Sequence, residues 1–314
     1  MNKRDSLLAL KEGVRRPGYT PAAFFLHFDP VYHRGQAGVD KHLEYFRYTD
    51  MDFVKIQFEQ RFPALPSIQK PADWAAMPFY GLDFYADQLG VVEGLVKAAR
   101  AEALVVLTLY SPFMCAGQAT SQERVVAHIQ ENPEAVKRGM EVITASLLGF
   151  MKECVRLGVD GFYTSTQGGE AGRIESPALF DACIRPYDLA LMEEAQRTCA
   201  FNILHVCDYH DPYRDLAPFK DYPGHVVNAS LDLTGGKVTP AQVSGLFGRP
   251  FMGGLERKGL LASGQPAAIE RAVRDLLAAS PEIAILAADC TVPSATPWDN
   301  LRAAIHASHT TGVE

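Results

Sequence analysis

From residue 88 onward, short apolar runs alternate with longer stretches of helical periodicity, and this alternation constrains the fold more than any other feature of the chain. The runs at 104–110, 161–166, 201–207, 225–230, 249–254 and 283–288 are six or seven residues long and rich in branched side chains. They are too short for helices and mostly too apolar for strands with one face in water, so they read as buried parallel strands. Parallel strands need crossovers, and amphipathic helices are expected over 89–103, 134–157, 176–198, 265–279 and 298–308. Asn132-Pro133 is a natural start for the long helix and Gly158 a natural stop. Upstream, 21–30 reads as a first strand and 53–58 as a second, with a helical stretch around 39–47 between them and a short helix over 3–12 in front. Eight strands separated mostly by helices are what a (β/α)8 barrel requires, so we expect one TIM-type barrel domain over 1–314 with an N-terminal helical extension. The irregular segment 60–87, with four prolines and the pairs Phe79-Tyr80 and Phe84-Tyr85, is the kind of ordered insertion that covers or lines a site.

In such a barrel the carboxyl ends of the strands share one mouth. His27, Asp29, Gln57, Glu59, Tyr110, Thr164, Gln167, His205, Cys207, Asp232, Glu256, Arg257 and Cys290 then open on a single cavity. Among them, His205 and Cys207 stand two apart at the end of one strand and so share a face. Cys290 ends the last strand in an equivalent setting. An imidazole and two thiols converging on one point suit Zn2+ with one coordination position open to a substrate. The plain alternative is a core pair without metal, since buried cysteine behaves as a small hydrophobe. His27 is a candidate acid or base, or a cap on a hydrogen-bond network. Gln57, Thr164, Gln167 and Arg257 are candidate substrate contacts. Tyr110 is a further candidate catalytic residue at the mouth; with Phe113, Met114 and Phe162 it is otherwise an apolar wall or barrel core. Gly168, Gly169 and Gly172 lack the lysine of a phosphate loop and suit close approach to a substrate.

A net charge of -7 and the absence of any basic run longer than Arg15-Arg16 argue against nucleic acid as a partner. The longest apolar run, 103–109, is far short of the roughly 18 residues a membrane helix needs, and the amino terminus does not resemble a secretory signal. A cytoplasmic setting is the expectation, in which the six cysteines stay reduced and free to bind metal.

With these residues in place, the chain resembles the uroporphyrinogen decarboxylase superfamily, and within it the zinc-dependent methylcobalamin:thiol methyltransferases of the coenzyme M type. The resemblance is carried by His205-x-Cys207, the distant Cys290 in Asp289-Cys290-Thr291-Val292-Pro293, and the closing Thr296-Pro297-Trp298-Asp299-Asn300-Leu301. Met252-Gly253-Gly254-Leu255, Gly259-Leu260-Leu261 and 265–270 add to it. It implies His205, Cys207 and Cys290 as zinc ligands, Asp232 as the exchangeable fourth ligand, a small thiol as substrate, and a methyl-corrinoid as co-substrate. Asp208-Tyr209-His210 looks like the start of a corrinoid-binding motif, but Tyr213 stands where that motif has glycine, so the corrinoid would arrive on a separate protein. Barrels of this type often form homodimers. The decarboxylase branch is the runner-up: its arginine-rich loop is represented only by 32–39, with Arg34 alone, where a tetrapyrrole with many carboxylates needs several cations. A non-catalytic binding barrel is the third reading.

Overall fold

The computed structural model describes residues 2–311. Its strands are β1 (Phe53–Ile56), β2 (Leu104–Tyr110), β3 (Gly161–Thr166), β4 (Ile203–Val206), β5 (Val226–Ala229), β6 (Asp232–Leu233), β7 (Gly236–Lys237), β8 (Phe251–Leu255) and β9 (Ile283–Ala288). Seven of them form one parallel sheet in the order β1-β2-β3-β4-β5-β8-β9, and β6 and β7 make a small antiparallel hairpin beside it. The helices are α1 (Lys3–Ala9), α2 (Gly35–Thr49), α3 (Ala86–Ala99), α4 (Pro112–Ala119), α5 (Gln122–Glu131), α6 (Pro133–Leu157), α7 (Pro177–Cys183), α8 (Arg185–Thr198), α9 (Pro240–Phe247), α10 (Leu260–Ser263), α11 (Pro266–Ala279) and α12 (Trp298–His309). Strands β1, β3, β4, β5 and β9 are buried along their whole length, as parallel strands covered on both faces are, and the polar residues among them are therefore buried too. Local chemistry sets the helix ends: the Asn132 side chain accepts from the Ala135 N–H at the start of α6, and Gly158 ends that helix in the left-handed region at φ 102°.

The eighth position of the barrel is filled by the segment that reads as a first strand. It bonds on both sides: Ala23 N–H donates to the Leu286 carbonyl at 3.1 Å, Leu286 N–H to that of Pro21 at 2.8 Å, and Asp52 N–H to that of Ala22 at 2.9 Å. Only Ala22, bridged in parallel to Leu286, has regular ladder geometry, so the strand expected over 21–30 is reduced to one bridge in an extended segment. The physical reason is Asp52. Its fully buried carboxylate, not a backbone carbonyl, takes the Ala22 N–H at 2.7 Å, and it also accepts from Tyr19 Oη and from His309 Nε2 at 2.9 Å. One side chain thus ties the closing segment, β1 and the end of α12 together.

The expected helix over 176–198 is two helices, α7 and α8, because Pro186 has no N–H to continue the first and its fixed φ suits the opening turn of the second. The hairpin, and α9 with its Thr239 and Gln242 capping box, fall where no regular element is expected from the apolar pattern. Among the described residues no helix is long and apolar enough to cross a membrane.

Replacing Asp52 with alanine takes the acceptor from the buried Ala22 N–H and from His309 Nε2. We expect Asp52→Ala to cost about 3 kcal/mol or more in denaturant unfolding, well above the effect of an exposed Asp→Ala change such as Asp83→Ala.

Candidate metal centre

The parallel register decides which side chains enter the barrel. His205 pairs with Ser165 on one side and Asn228 on the other, and the Tyr163 ring lies 4.8 Å from the His205 ring. Odd-numbered residues of β3 therefore face inward. The even ones face the helices: Thr166 Oγ1 donates to the buried Asp188 on α8. Thr164, expected at the cavity, is on that outer parity, and its hydroxyl donates to the Ile203 carbonyl at 3.2 Å. This corrects the sequence reading by one residue, since a strand's side chains alternate.

At the end of β4 and of β9, His205, Cys207 and Cys290 come together, buried, with their ligand atoms within 4.8 Å of one another. Cys207 Sγ is 3.8 Å from Cys290 Sγ, and Cys290 Sγ is 3.4 Å from His205 Nε2. Zinc bonds of about 2.3 Å to sulfur and about 2.0 Å to nitrogen at tetrahedral angles put two sulfurs about 3.8 Å apart and a sulfur and a nitrogen about 3.5 Å apart. The donor set and its spacing fit such an ion. The two thiols share a hydrogen bond, which together with His205 and Arg257 draws the Cys290 thiol well below its ordinary range, while the same bond and burial push Cys207 up.

Neighbouring side chains hold the three donors in place. Gln167 Nε2 donates to Cys207 Sγ at 3.3 Å, and its Oε1 accepts from Gln122 Nε2 at 2.6 Å, so this expected substrate contact is turned onto a thiol. Arg257 is likewise committed: its Nη1 lies 2.8 Å from Asp208 and 3.0 Å from Asp289, the residues adjoining Cys207 and Cys290. Asp289 also accepts from the Cys290 N–H at 2.9 Å. Arg257 is therefore a staple across the two cysteine loops. Burial works against its charge, and the two carboxylates outweigh that cost and raise its pKa. Burial pushes Asp289 up to about 6, with Arg257 opposing.

Asp232, expected as the fourth ligand, is not brought to the trio. It sits on the hairpin, half exposed, 3.0 Å from Lys237 Nζ, because the chain leaves the barrel wall after β5 and turns into that hairpin. His27 Nδ1 donates to the Glu59 carboxylate at 2.9 Å. Tyr110 packs on Phe58 with ring centroids 5.3 Å apart, and burial, then the nearby thiols and Glu59, raise its pKa.

The residue that the sequence reading missed is Lys55. It lies on β1, 5% exposed, with Nζ 4.1 Å from the Phe25 ring centre, 4.3 Å from that of Tyr163 and 2.6 Å from Gln57 Oε1. Gln57 Oε1 also accepts from Thr108 at 3.0 Å. Burial pulls Lys55 down to about 7, against the pull of Cys290, Glu59 and Cys207. The available signal was a single lysine inside Phe53-Val54-Lys55-Ile56, two residues before Gln57 and hence on the same face.

The sequence matches the family described as Uroporphyrinogen decarboxylase (URO-D) over residues 54–311, and the chain belongs to that family. Among solved structures it is similar to a methyltransferase from Methanosarcina mazei, at TM-score 0.78 and 12% identity over 98% of both chains. A putative vitamin-B12 independent methionine synthase from Listeria monocytogenes matches at TM-score 0.57 and 12% identity, over 93% of this chain and 97% of that one. An endo-1,4-beta-mannanase from Rhizomucor miehei matches at TM-score 0.52 and 11% identity, over 93% and 94%. At such identities the likeness is one of fold. Comparison with curated proteins found no match.

The depressed Lys55 gives a pH signature. Between about 7 and 10.5 the unfolded chain carries a proton there that the folded one lacks, so this residue makes metal-free stability rise with pH across that window. Chemical denaturation of wild type and Lys55→Met at several pH values should show the slope reduced in the variant; equal slopes would contradict it.

Proposed function

We propose that the chain is a zinc-dependent methyltransferase that moves a methyl group between a methyl-corrinoid, carried on a separate protein, and a thiol activated at His205, Cys207 and Cys290. The observation that supports it most directly is the spacing of the three donors, 3.8 Å between the sulfurs and 3.4 Å from sulfur to imidazole nitrogen, close to what tetrahedral zinc requires. Zinc, when bound, supplies a Lewis acid that lowers the pKa of a thiol without redox chemistry. The chain's own residues do the rest. Gln167 fixes the direction of Cys207 through its amide, and Arg257 keeps the two cysteine loops together. Tyr163 holds the His205 ring by its face, which matters because His205 Nδ1 has no hydrogen-bond partner among the described residues. Phe25 packs edge-on against Tyr163, and Tyr110, packed on Phe58, is close enough for the thiols to act on its hydroxyl, so the interior beside the trio carries aromatic surface.

A metal-free decarboxylase working on a polycarboxylate is less well supported. Arg34, the arginine of the loop after the closing segment, is mostly exposed and sits 3.8 Å from Asp87, and Arg257 is already paired with two carboxylates. Two hydrogen-bonded thiols beside an imidazole have no role in that chemistry.

Protein purified without added metal or chelator should carry about one zinc per chain, and Cys290→Ser should carry little. Arg257→Gln should keep the site but weaken zinc affinity by about 10- to 100-fold in a competition with a chromophoric chelator. Absence of zinc in the wild type, with refusal of zinc on titration, would end this reading. In the cobalt-substituted protein, 2-mercaptoethanol should add thiolate-to-cobalt charge-transfer absorption as it enters the open position; an unchanged spectrum would leave a metal site with no thiol chemistry.

A further inference from the structure

Lys55 has no part in the reading above, and its setting is costly. Its ammonium group is buried, and among the described residues no carboxylate lies within ion-pair distance of it. One amide oxygen, Gln57 Oε1, is its hydrogen-bond partner, and two aromatic faces flank it at 4.1 and 4.3 Å. Cation–π contacts return only part of the desolvation cost of a buried charge. A methionine or leucine would be cheaper to bury at this position of β1, so stability does not explain a lysine there.

Two observations connect this charge to the metal centre. Tyr163, whose ring covers Lys55 Nζ, also faces the His205 imidazole at 4.8 Å, so one side chain separates the ammonium from a ligand. The opposing charge that acts on Lys55 most strongly is that of Cys290, ahead of Glu59 and Cys207. Gln57 Nε2 is also buried and has no partner among the described residues, so a second donor beside Lys55 is uncommitted. Charge counting supplies the missing acceptor. A divalent ion with two cysteine thiolates and a neutral imidazole is electrically balanced. A third thiolate, from a substrate, makes the centre anionic inside a barrel with little water to screen it.

We propose that Lys55 is a positioning residue whose ammonium is the counter-charge for a substrate thiolate at the metal, with no part in holding the metal itself. The inference rests on the thiol reading above. Lys55 forms and breaks no bond in this role; it lowers the energy of the anionic state.

The test uses the cobalt-loaded protein at about neutral pH, wild type beside Lys55→Met, with two probes: 2-mercaptoethanol, which binds as an anion, and imidazole, which binds neutral. Lys55→Met should take up cobalt and imidazole as the wild type does and melt no lower, because an apolar side chain replaces a buried amine with no carboxylate partner. Its affinity for 2-mercaptoethanol, read from the charge-transfer band, should fall at least about tenfold. Equal thiolate affinity in the two proteins overturns the counter-charge role alone. A parallel loss of cobalt or imidazole binding also overturns it, by making Lys55 a support of the metal. Failure of 2-mercaptoethanol to bind either protein, with imidazole binding both, removes the thiol reading and this inference with it.

Discussion

Closure of the barrel is the constraint on which the site depends. Strands β4 and β9, which carry the two cysteines, are three steps apart in the sheet. At about 4.8 Å per strand, a flat sheet would put their ends roughly 14 Å apart. The sulfurs are 3.8 Å apart because the sheet curls until β9 meets the segment at Ala22 and that segment meets β1. Asp52 completes this seam from the amino-terminal end of the barrel, far along the strands from the mouth. Stability and chemistry are thus held at opposite ends of the same strands, a division common to barrel enzymes.

Electrostatics at the mouth follow from what this closure buries. The cysteine loops bring Asp208 and Asp289 together, two carboxylates that would repel one another, and Arg257 turns that repulsion into a clamp. One nitrogen, Nη1, reaches both carboxylates, and Nη2 adds a contact to the Asp208 backbone carbonyl at 3.3 Å. Lys55 is a different kind of cation: compact, enclosed by rings, and without a carboxylate. One charge is spent on architecture and the other is left over.

How legible these features were in the sequence depends on the range of the interaction that sets them. The His205-x-Cys207 pair on one face follows from alternation, and Cys290 follows from assuming that the strands of the barrel sheet are parallel, which those seven are. Strands 104–110, 161–166 and 283–288 coincide with β2, β3 and β9 because their apolar runs are bounded sharply by polar or turn residues. Thr164 went astray because the same alternation was not carried through β3, where Gln167 lies past the strand end and its parity no longer counts. The first strand was over-read because its partner is a carboxylate, and no pattern of apolar residues announces that. Asp232 depends on the path of the chain after β5, which local propensity does not determine. Arg257 looked like a free cation because both of its partners are distant in sequence, Asp208 by 49 positions and Asp289 by 32.

The neighbours in fold space make the same point about function. A methyltransferase, a methionine synthase and a mannanase all overlay most of this chain at 11–12% identity, so the barrel alone does not choose among methyl transfer, thiol chemistry and glycoside hydrolysis. A glycosidase of the usual kind needs two carboxyl groups flanking its bond. At this mouth Asp208 and Asp289 are locked onto Arg257 and Glu59 is joined to His27, while the buried donors are sulfur and imidazole. What this chain adds to the shared barrel is a soft donor set and, at Lys55, a cation without a carboxylate partner beside it. Soft donors select a thiophilic ion, and a positive charge in a dry interior favours an anionic ligand over a neutral one. Both preferences are what the proposed thiol chemistry requires.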